Sequence, residues 1–270
     1  MTGAAGMLGR DVVRAATEHE VVALTRADLD VTDRPAVDRA IAEARPDVVI
    51  NCAAFTDVDG AESDEDAATL VNGEAAGYLA AAAPAIVQPS TDYVFDGSKR
   101  TPYVESDPTA PRSAYGRSKL AGEHAVAHAN ARHFIVRTSW LFGAAGKNFV
   151  DTMLGLGRDR DELKVVDDQV GCPTYTGHLA RALVELAGTD GYGVRHLAGS
   201  GACSWFEFAI EIFRQAEIDV RVVPCTTAEF PRPAPRPAYS VLASERPDGM
   251  RLPDWREGLA AYLAERAPAR

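Results

Sequence analysis

The sequence predicts an α/β protein, in which a doubly wound parallel sheet is followed by a smaller C-terminal lobe. Three observations lead to this prediction. The apolar strand candidates show no polar alternation, which is typical of parallel strands covered on both faces. Strand and helix signals alternate through the first two-thirds of the chain. A glycine-rich turn, Gly3 to Gly9, stands at the very start.

The elements of the first two-thirds follow from local signals. Residues 21–24 are a short apolar run and are predicted to form a strand. Asp33 followed by Pro35 indicates the start of a helix, and Pro46 ends it. The same reading predicts strands at 47–51, 85–88 and 134–136, and helices within 61–83 and 113–131.

The last third has a different pattern, which predicts a smaller lobe closing over the edge of the sheet. Residues 143–168 read as a helix and a short strand, and residues 171–174 as a turn. Ser204 and Glu207 form a capping-box pattern that starts a helix over 204–215. The proline-rich stretch 231–237 is predicted to be extended, and a last helix starts near Asp254.

Composition excludes several classes of function. The chain has 270 residues, of which 46% are hydrophobic and 25% charged, and its formal net charge is -11. This charge argues against binding to nucleic acid, which needs a basic surface. No apolar run is long enough for a membrane span and no signal peptide is evident, so we expect no membrane partner and a cytoplasmic location.

The four cysteines give no metal or disulfide signal. Cys52, Cys172, Cys203 and Cys225 contain no C-x-x-C pair, and no histidine stands at zinc-finger spacing from them. We therefore expect reduced thiols. No ligand cluster with metal spacing is present, and no metal site is predicted.

The glycine turn can hold the pyrophosphate of a dinucleotide. Gly3 and Gly6 lack a Cβ that would clash with the phosphates, and the helix that starts near Met7 and Leu8 points its amides at the charge. This is the arrangement of a Rossmann-type domain. We therefore assign residues 1–142 to a dinucleotide-binding domain. Residues 143–270 form the smaller substrate-binding lobe, with some chain crossing back to the first domain.

The strand that normally precedes such a turn is expected to be absent from the sequence. Only Met1 and Thr2 stand before Gly3. Residues ahead of Met1 could supply the strand, a neighbouring chain could fill the gap, or the domain could be weakened. The first is favoured, because losing a central strand would cost about as much as the total stability. The join at Ala83–Ala85 is also unusually short.

The remaining cofactor contacts are predicted along the edge of the sheet. Arg26 stands where an NAD-preferring domain has an acid, and it can accept a 2′-phosphate, so NADPH is predicted and NADH remains compatible. Asp30 and Val31 are predicted near the adenine amine. Small residues allow the cofactor to cross the sheet edge, and they are Cys52, Ala53 and Ala54.

Tyr115 and Lys119 form the candidate catalytic pair. Four residues apart on a helix, they lie on one face. A nearby ammonium favours the phenolate, so we expect the pKa of Tyr115 to move toward the working range. Lys119 can also hold the nicotinamide ribose. Thr91, at a strand end, can hydrogen-bond the substrate oxygen, which together with the glycine turn predicts hydride transfer to a carbonyl.

These motifs resemble those of the extended short-chain dehydrogenase/reductase superfamily, and within it the dTDP-4-dehydrorhamnose reductase family. The resemblance runs from Thr2 to about Leu263. Its most specific pieces occur in the same order as in that family, and they are residues 90–97, 115–123, 137–140, 166–169 and 236–237.

The resemblance implies an activity and a set of residues. Thr91, Tyr115 and Lys119 would be the catalytic trio, and Tyr115 would protonate the C4 oxygen of a dTDP-4-keto-6-deoxy-sugar while NADPH gives the hydride. The implied reaction is the reduction of dTDP-4-dehydro-L-rhamnose to dTDP-L-rhamnose. Five residues are candidates for holding the sugar and diphosphate, namely Asp92, Tyr93, Trp140, Asn148 and Arg236. A homodimer is left open.

Two alternatives remain at this point. A nucleotide-sugar dehydratase or epimerase of the same superfamily is one, although Tyr93 stands where dehydratases have a second acid. The other is a non-catalytic cofactor-binding subunit, similar to the regulatory subunit of methionine adenosyltransferase. That subunit typically lacks the threonine found here at Thr91 and the residues Thr138 to Trp140.

Overall fold

A computed structural model describes residues 1–266 of the chain. Helices and parallel strands alternate, as the sequence predicts. The α-helices are α1 Met7–Ala15, α2 Arg34–Ala44, α3 Glu65–Thr69, α4 Ala75–Ala82, α5 Ala114–Ala129, α6 Phe149–Asp159, α7 Thr176–Ala187, α8 Trp205–Gln215 and α9 Trp255–Arg266. The strands are β1 Val49–Ile50, β2 Ile86–Thr91, β3 His133–Thr138, β4 Leu141–Phe142, β5 Glu162–Val166, β6 Val170–Gly171, β7 Thr174–Tyr175, β8 Gly193–His196, β9 Cys203–Ser204 and β10 Arg221–Cys225.

The main sheet has the strand order β1-β2-β3-β8, and every pair in it is parallel. Side chains alternate between its faces, as the pleat requires. Val87, Phe134 and Val136 pack with α1 and α7 on one face. Ile86 and Ile135 pack with α2 and α4 on the other. Both faces are therefore buried, which explains the continuous apolar strands.

Thr2 occupies the position of the strand that precedes the glycine turn. It forms parallel bridges to Leu24 on one side and to Asn51 on the other. The predicted strand over 21–24 is reduced to the bridge at Leu24, because Thr2 is the residue that pairs with it. An open groove of about 440 Å³ lies next to Thr2, between residues 20–24 and 44–50.

The C-terminal lobe has its own aromatic core. Phe142, Phe208, Trp255 and Tyr262 are almost fully buried there, contributed by β4, α8 and α9. β5 and β10 form a parallel pair at its edge. The capping box predicted at Ser204 is present with both of its hydrogen bonds, so α8 starts where the sequence places it.

Three features of the last third differ from the sequence prediction. Residues 171–174 include parts of β6 and β7 rather than a simple turn. Helix α7 had no strong local start signal, and its N-cap residue makes no side-chain capping bond. Strand β8, which the sequence did not predict, then pairs with β3 in the main sheet. The domain boundary at 142/143 stays a prediction.

The predicted long helix over 61–83 is interrupted. A π-helical segment, Leu70–Glu74, lies between α3 and α4. Its Asn72 side chain donates to Ser118 on α5 and also pairs with the backbone of Phe55. Such segments often occur at functional sites, and this one ties α5 to the loop after β1.

Candidate active site

The glycine turn lies where the strand order reverses. Thr2 pairs with Leu24 on one side and with Asn51 on the other. The strand order therefore reverses at Thr2, and open α/β sheets bind ligands at such a switch point. Gly3 has φ +67, and a Cβ there would collide with the backbone of Cys52 and Ala53. A Cβ on Gly9 would collide with the carbonyl of Gly3. The turn therefore requires glycine at both positions.

The start of α1 is suited to a pyrophosphate. Gly6 is the N-cap and provides no side chain, and the first turn contains no acidic residue. Free amides and the positive end of the helix dipole therefore face any bound anion. Met7 borders Gly143 and Gly146, whereas the Leu8 side chain is buried in the core below the sheet. Leu8 can contribute only through its backbone.

The predicted adenosine contacts lie together beyond Leu24. Arg26 is exposed, and its charge lowers the pKa of Asp30, after the larger effects of hydrogen bonds from Thr32. Asp30 Oδ1 accepts both of those bonds, from the Thr32 amide at 3.0 Å and its hydroxyl at 2.7 Å. Val31 is buried beneath this turn. Arg26 thus remains accessible to a 2′-phosphate.

The segment after β1 connects the glycine turn to the catalytic pair. The Cys52 amide donates to the Thr2 carbonyl, and Ala53 and Ala54 follow beside Gly3. Burial raises the pKa of the Cys52 thiol to about 12, so it stays neutral. This neutral thiol lies near Lys119. The predicted path of the cofactor across the sheet edge is therefore continuous.

The three residues predicted to be catalytic come from β2 and α5. Thr91 ends β2, and Tyr115 and Lys119 lie one turn apart on α5, whose N-cap Ser113 accepts from the Gly116 amide. The Lys119 ammonium donates to the Pro89 carbonyl at 2.7 Å and is only 6% exposed. The three side chains therefore converge where β2 ends.

Burial dominates the charge states of the pair. It lowers the pKa of Lys119 to about 8, partly opposed by Glu123 and Cys52. It raises the pKa of Tyr115 to about 12, helped by the negative charge of Asp92 and opposed by a hydrogen bond from Thr91. The expected fall in the Tyr115 pKa is therefore wrong for the free protein. Tyr115 instead holds its proton, as a proton donor must.

Two predicted substrate residues lie directly beside the phenol. The ring of Tyr93 meets that of Tyr115 edge to face, with centroids 5.8 Å apart. Asp92 accepts from the Thr91 hydroxyl at 3.0 Å, and its Oδ2 atom is buried without a hydrogen-bond partner. Burial raises the pKa of Asp92 to about 6. Asp92 is only 1% exposed, so its carboxyl has no open path to a ligand, and its predicted role in holding the sugar stays a prediction.

Arg236 reaches the same site from the proline-rich segment. It makes a bidentate ion pair with Asp59, at 2.8 and 2.9 Å, and bonds the Ala234 carbonyl. Its charge acts on Tyr93, which places it near the phenol ring. Arg236, the residue predicted to contact the diphosphate, is therefore already paired with an anion. The sequence did not indicate this pairing with Asp59.

Trp140 and Asn148, both predicted to hold the substrate, differ in what their side chains contact. Trp140 adopts φ +49 and stacks on Trp205 with a centroid distance of 3.5 Å. This unusual backbone turns its indole against Gly171. Asn148 caps α6 and bonds Asp151, Gly143 and Tyr262. Its polar atoms serve the fold, so the substrate role predicted for it has no support here.

Several contributing residues carried no functional assignment from the sequence. Glu123, Arg137 and Gln169 stand in recognisable motifs, but their partners come from distant segments. Trp205 donates to Gln169 at 3.2 Å across 36 residues. Asp59 lies 177 residues from Arg236. No periodicity or spacing signals such pairs.

The residues from 1 to 266 include no group of three or more histidine, cysteine, aspartate or glutamate side chains that could hold a metal ion. In the same part of the chain, every helix is too short or too polar to cross a membrane.

A glycine turn at the switch point of a parallel sheet, beside a threonine–tyrosine–lysine cluster, defines an oxidoreductase of the short-chain dehydrogenase/reductase type. The comparisons with known proteins narrow this class. The family described as RmlD substrate binding domain matches residues 1–267. The chain belongs to this family, whose enzymes named dTDP-4-dehydrorhamnose reductase are NADPH-dependent oxidoreductases.

Individual relatives support the assignment over almost the whole chain. A probable dTDP-4,6-dihydroxy-2-methyloxan-3-one 4-ketoreductase of Streptomyces antibioticus is 48% identical, covering 96% of this chain and 92% of its own. The dTDP-4-dehydrorhamnose reductase of Burkholderia thailandensis is 46% identical, covering 95% and 94%. A crystal structure of the Bacillus anthracis reductase in complex with NADP has a TM-score of 0.94 at 40% identity, covering 98% and 97%.

Proposed function

We propose that this protein uses NADPH to reduce the C4 keto group of a dTDP-4-keto-6-deoxy-sugar, converting dTDP-4-dehydro-L-rhamnose to dTDP-L-rhamnose. The observation that carries the proposal is the convergence of Thr91, Tyr115 and Lys119 where β2 ends, beside the segment that leads from the glycine turn. The relatives named dTDP-4-dehydrorhamnose reductase support the choice of sugar.

The residues present fit the cofactor. The glycine turn offers free amides to the pyrophosphate, and Arg26 is exposed where a 2′-phosphate would lie. We expect Lys119 to hold the nicotinamide ribose. When bound, the reduced nicotinamide supplies the hydride that adds to C4 of the sugar.

The proton comes from the protein. Tyr115, whose raised pKa keeps the phenol protonated, gives its proton to the C4 oxygen as the carbon–oxygen double bond becomes single. Thr91 orients that oxygen through its hydroxyl. The Lys119 ammonium stabilises the phenolate that remains. One hydride and one proton are thus added, and the product is an alcohol.

The test is incubation with dTDP-4-keto-6-deoxy-glucose, a 3,5-epimerase and NADPH. We expect loss of NADPH absorbance and formation of dTDP-L-rhamnose, both dependent on the protein. Binding of NADPH with no oxidation in the presence of this sugar would contradict the proposal and would favour the non-catalytic alternative. Conversion of a nucleotide-sugar by this protein alone, with neither the added epimerase nor NADPH present, would favour a dehydratase or an epimerase.

A different dTDP-linked keto-sugar is the second candidate. The relative at 48% identity is named as a probable 4-ketoreductase of another dTDP-sugar. The same assay without the epimerase distinguishes the two, because a rhamnose-forming enzyme needs the epimerised substrate. Faster oxidation of NADPH without the epimerase would favour the second candidate.

We further propose a cytoplasmic location, which agrees with four free cysteines and with the thiol-rich state of that compartment. A homodimer stays a prediction, and light scattering on the purified protein measures it.

A further inference from the structure

The catalytic helix carries a third charged group below Tyr115 and Lys119. Glu123 stands one further turn along α5, so the three side chains form one stripe on the helix. Exposure decreases along this stripe, because Tyr115 is partly exposed whereas Lys119 and Glu123 are 6% and 4% exposed. The stripe therefore runs from the open edge of the sheet into the protein interior.

Consecutive residues of β2 meet this stripe. The Pro89 carbonyl accepts from Lys119 at 2.7 Å. The Ser90 hydroxyl donates to Glu123 Oε1 at 2.6 Å. Thr91 lies beside Tyr115 and partly opposes the burial that raises the pKa of its phenol. The strand thus fixes the three side chains in a common register.

Glu123 is also paired with an arginine on the next strand. Arg137 stands opposite Ser90 in the β2–β3 register. Its Nε donates to Glu123 Oε1 at 3.0 Å and its Nη2 to Oε2 at 2.7 Å. The Arg137 guanidinium lies over the ring of Phe95, 5.1 Å from its centroid. This bidentate pair is buried behind the active site.

The groups packed around α5 make Glu123 the anion that acts on Lys119. Cys52 acts on it too, but the thiol is neutral because its pKa is about 12. Asp92 acts on Tyr115 rather than on Lys119. Beyond Arg137 lie Glu105 and His196. The other charged groups presented by the elements that pack on α5, or by its own outer face, are Glu62, Glu65, Asp66, Glu74 and Arg117.

We propose that Glu123 and Arg137 are positioning residues for the reduction, and that their buried ion pair holds Lys119 as an ammonium ion beneath Tyr115. This inference rests on the proposed ketoreductase function. Without the carboxylate, Lys119 and Arg137 would be two buried cations with no anion between them, which strongly favours loss of a proton from the lysine. Without the guanidinium, the carboxylate would act on Lys119 alone.

The test is the pH dependence of kcat in variants of the pair. Glu123→Gln keeps the shape and the acceptor for Ser90 but removes the charge. We expect the basic limb of its profile to move to lower pH by about 1 unit, because Lys119 loses its proton earlier. Arg137→Gln should move that limb to higher pH. Glu123→Asp, which keeps the charge, should stay near the wild-type profile.

The charge-balanced double variant Glu123→Gln with Arg137→Gln should return the limb toward wild type. It also keeps the proposal testable if Glu123→Gln alone fails to fold. The matched control is Glu65→Gln. It breaks an exposed bidentate pair between Glu65 on α3 and Arg117 on α5, and it should leave the profile unchanged. A limb that does not move in Glu123→Gln, or that moves the same way in both single variants, would overturn the proposal.

A second readout separates this inference from the proposed function. The affinity for NADPH, followed by its fluorescence, depends on the Lys119 charge and needs no sugar. As the pH rises, Lys119 loses its charge and the affinity for NADPH falls. We expect this fall to begin at a lower pH in Glu123→Gln than in wild type. If wild type binds NADPH but reduces no sugar, the proposed function fails, and this shift still tests the pair. If NADPH affinity follows pH identically in both, the inference fails.

Discussion

At the residue scale, burial decides what each catalytic side chain can do. Tyr115 and Lys119 are one turn apart, yet the ammonium is bound to the Pro89 carbonyl, and it is burial that sets the phenol's pKa. At neutral pH the raised pKa keeps the phenol protonated, but it also makes the phenol a weaker acid. Transfer of its proton in the reductive direction therefore depends on stabilisation of the phenolate that forms.

The first prediction concerns that proton. Tyr115→Phe should lower kcat by about a hundredfold or more, which is the usual value of general acid catalysis. NADPH binding should persist, because the ring remains. Steady-state rates and NADPH fluorescence measure the two effects. Tyr78→Phe on α4, which loses a hydroxyl that donates to Glu74, is the control with wild-type activity. Activity of Tyr115→Phe within tenfold of wild type would exclude Tyr115 as the donor.

The second prediction concerns cofactor choice. Arg26 is exposed next to the Asp30 turn, where it can pair with a 2′-phosphate. Arg26→Ala should lower kcat/KM for NADPH while leaving that for NADH nearly unchanged. Removing a charged hydrogen bond is typically worth about 1.5–3 kcal/mol, or roughly tenfold to a hundredfold. An unchanged ratio of the two cofactors would show that Arg26 does not read the phosphate.

At the element scale, the N-caps of the helices show which helix starts are closed by a side chain and which are open. Asp33, Ser113 and Ser204 each accept a backbone amide at the start of α2, α5 and α8. The Gly6 start of α1 is different, since no side chain satisfies its amides. The starts of α2, α5 and α8 are thus closed by their own caps. Helix α1, like α7, has no side-chain cap, and its position after the glycine turn leaves its amides for a ligand.

The third prediction concerns the cap of α8. Ser204 accepts the Glu207 amide and also donates to Asp167 at 2.6 Å, which joins α8 to the end of β5. Ser204→Ala should cost about 1 kcal/mol, which lowers Tm by about 2–4 °C in a chain of this size. Thermal unfolding measures the loss.

The control for this prediction is Thr226→Ala. Thr226 starts a second capping box, on the short helix Thr227–Glu229, and it is exposed. Its loss should change Tm by less. Equal changes in the two variants would mean that the link between Ser204 and Asp167 adds nothing to the cap.

At the scale of the whole molecule, residues far apart in sequence hold the lobes together. The Asp59–Arg236 pair joins the loop after β1 to the proline-rich segment. Glu105 accepts from Ser244 and from the backbone of His196, so it links the segment before α5 to β8 and to the residues just before α9. The first of these pairs includes Arg236, which is predicted to hold the substrate, so the shape of the predicted site depends on it.

The fourth prediction concerns stability against pH. Burial is the main cause of the lowered pKa of His196, whose Nδ1 bonds the Ala243 carbonyl and whose Nε2 has no partner. The unfolded chain binds a proton near pH 6.5, whereas the folded chain does so only at lower pH. His196 therefore favours the folded state above pH 6.5, and this contribution is lost as the pH falls below 6.5 toward the folded pKa.

His196→Asn keeps a donor for the carbonyl but cannot be protonated. The decrease in Tm from pH 7 to pH 5 should be smaller in this variant than in wild type. His128→Asn, which removes an exposed histidine, should behave like wild type. Comparing variants isolates His196 from His178, whose pKa is also lowered, and from Asp92, whose raised pKa acts in the opposite direction. Parallel Tm curves for wild type and His196→Asn would contradict the assignment.

The sequence by itself determined the elements that depend on local chemistry. Apolar runs, caps and prolines located β2, β3, α2, α5 and α8, because these signals act within a few residues. The glycine turn and the pair Tyr115 and Lys119 were likewise readable, since each is a short pattern whose spacing has a direct chemical meaning. Family resemblance added the role of Thr91 and the sugar.

Only the tertiary structure decided the rest. It reduced the strand over 21–24 to one bridge, because pairing depends on the neighbour that Thr2 provides. It raised the pKa of Tyr115, because burial is the main influence on the phenol while the Lys119 ammonium is bound to the Pro89 carbonyl. It assigned Asn148 to a helix cap, and it joined Glu123 to Arg137 and Asp59 to Arg236. Electrostatic environment and long-range pairing arise from packing, which no local pattern contains.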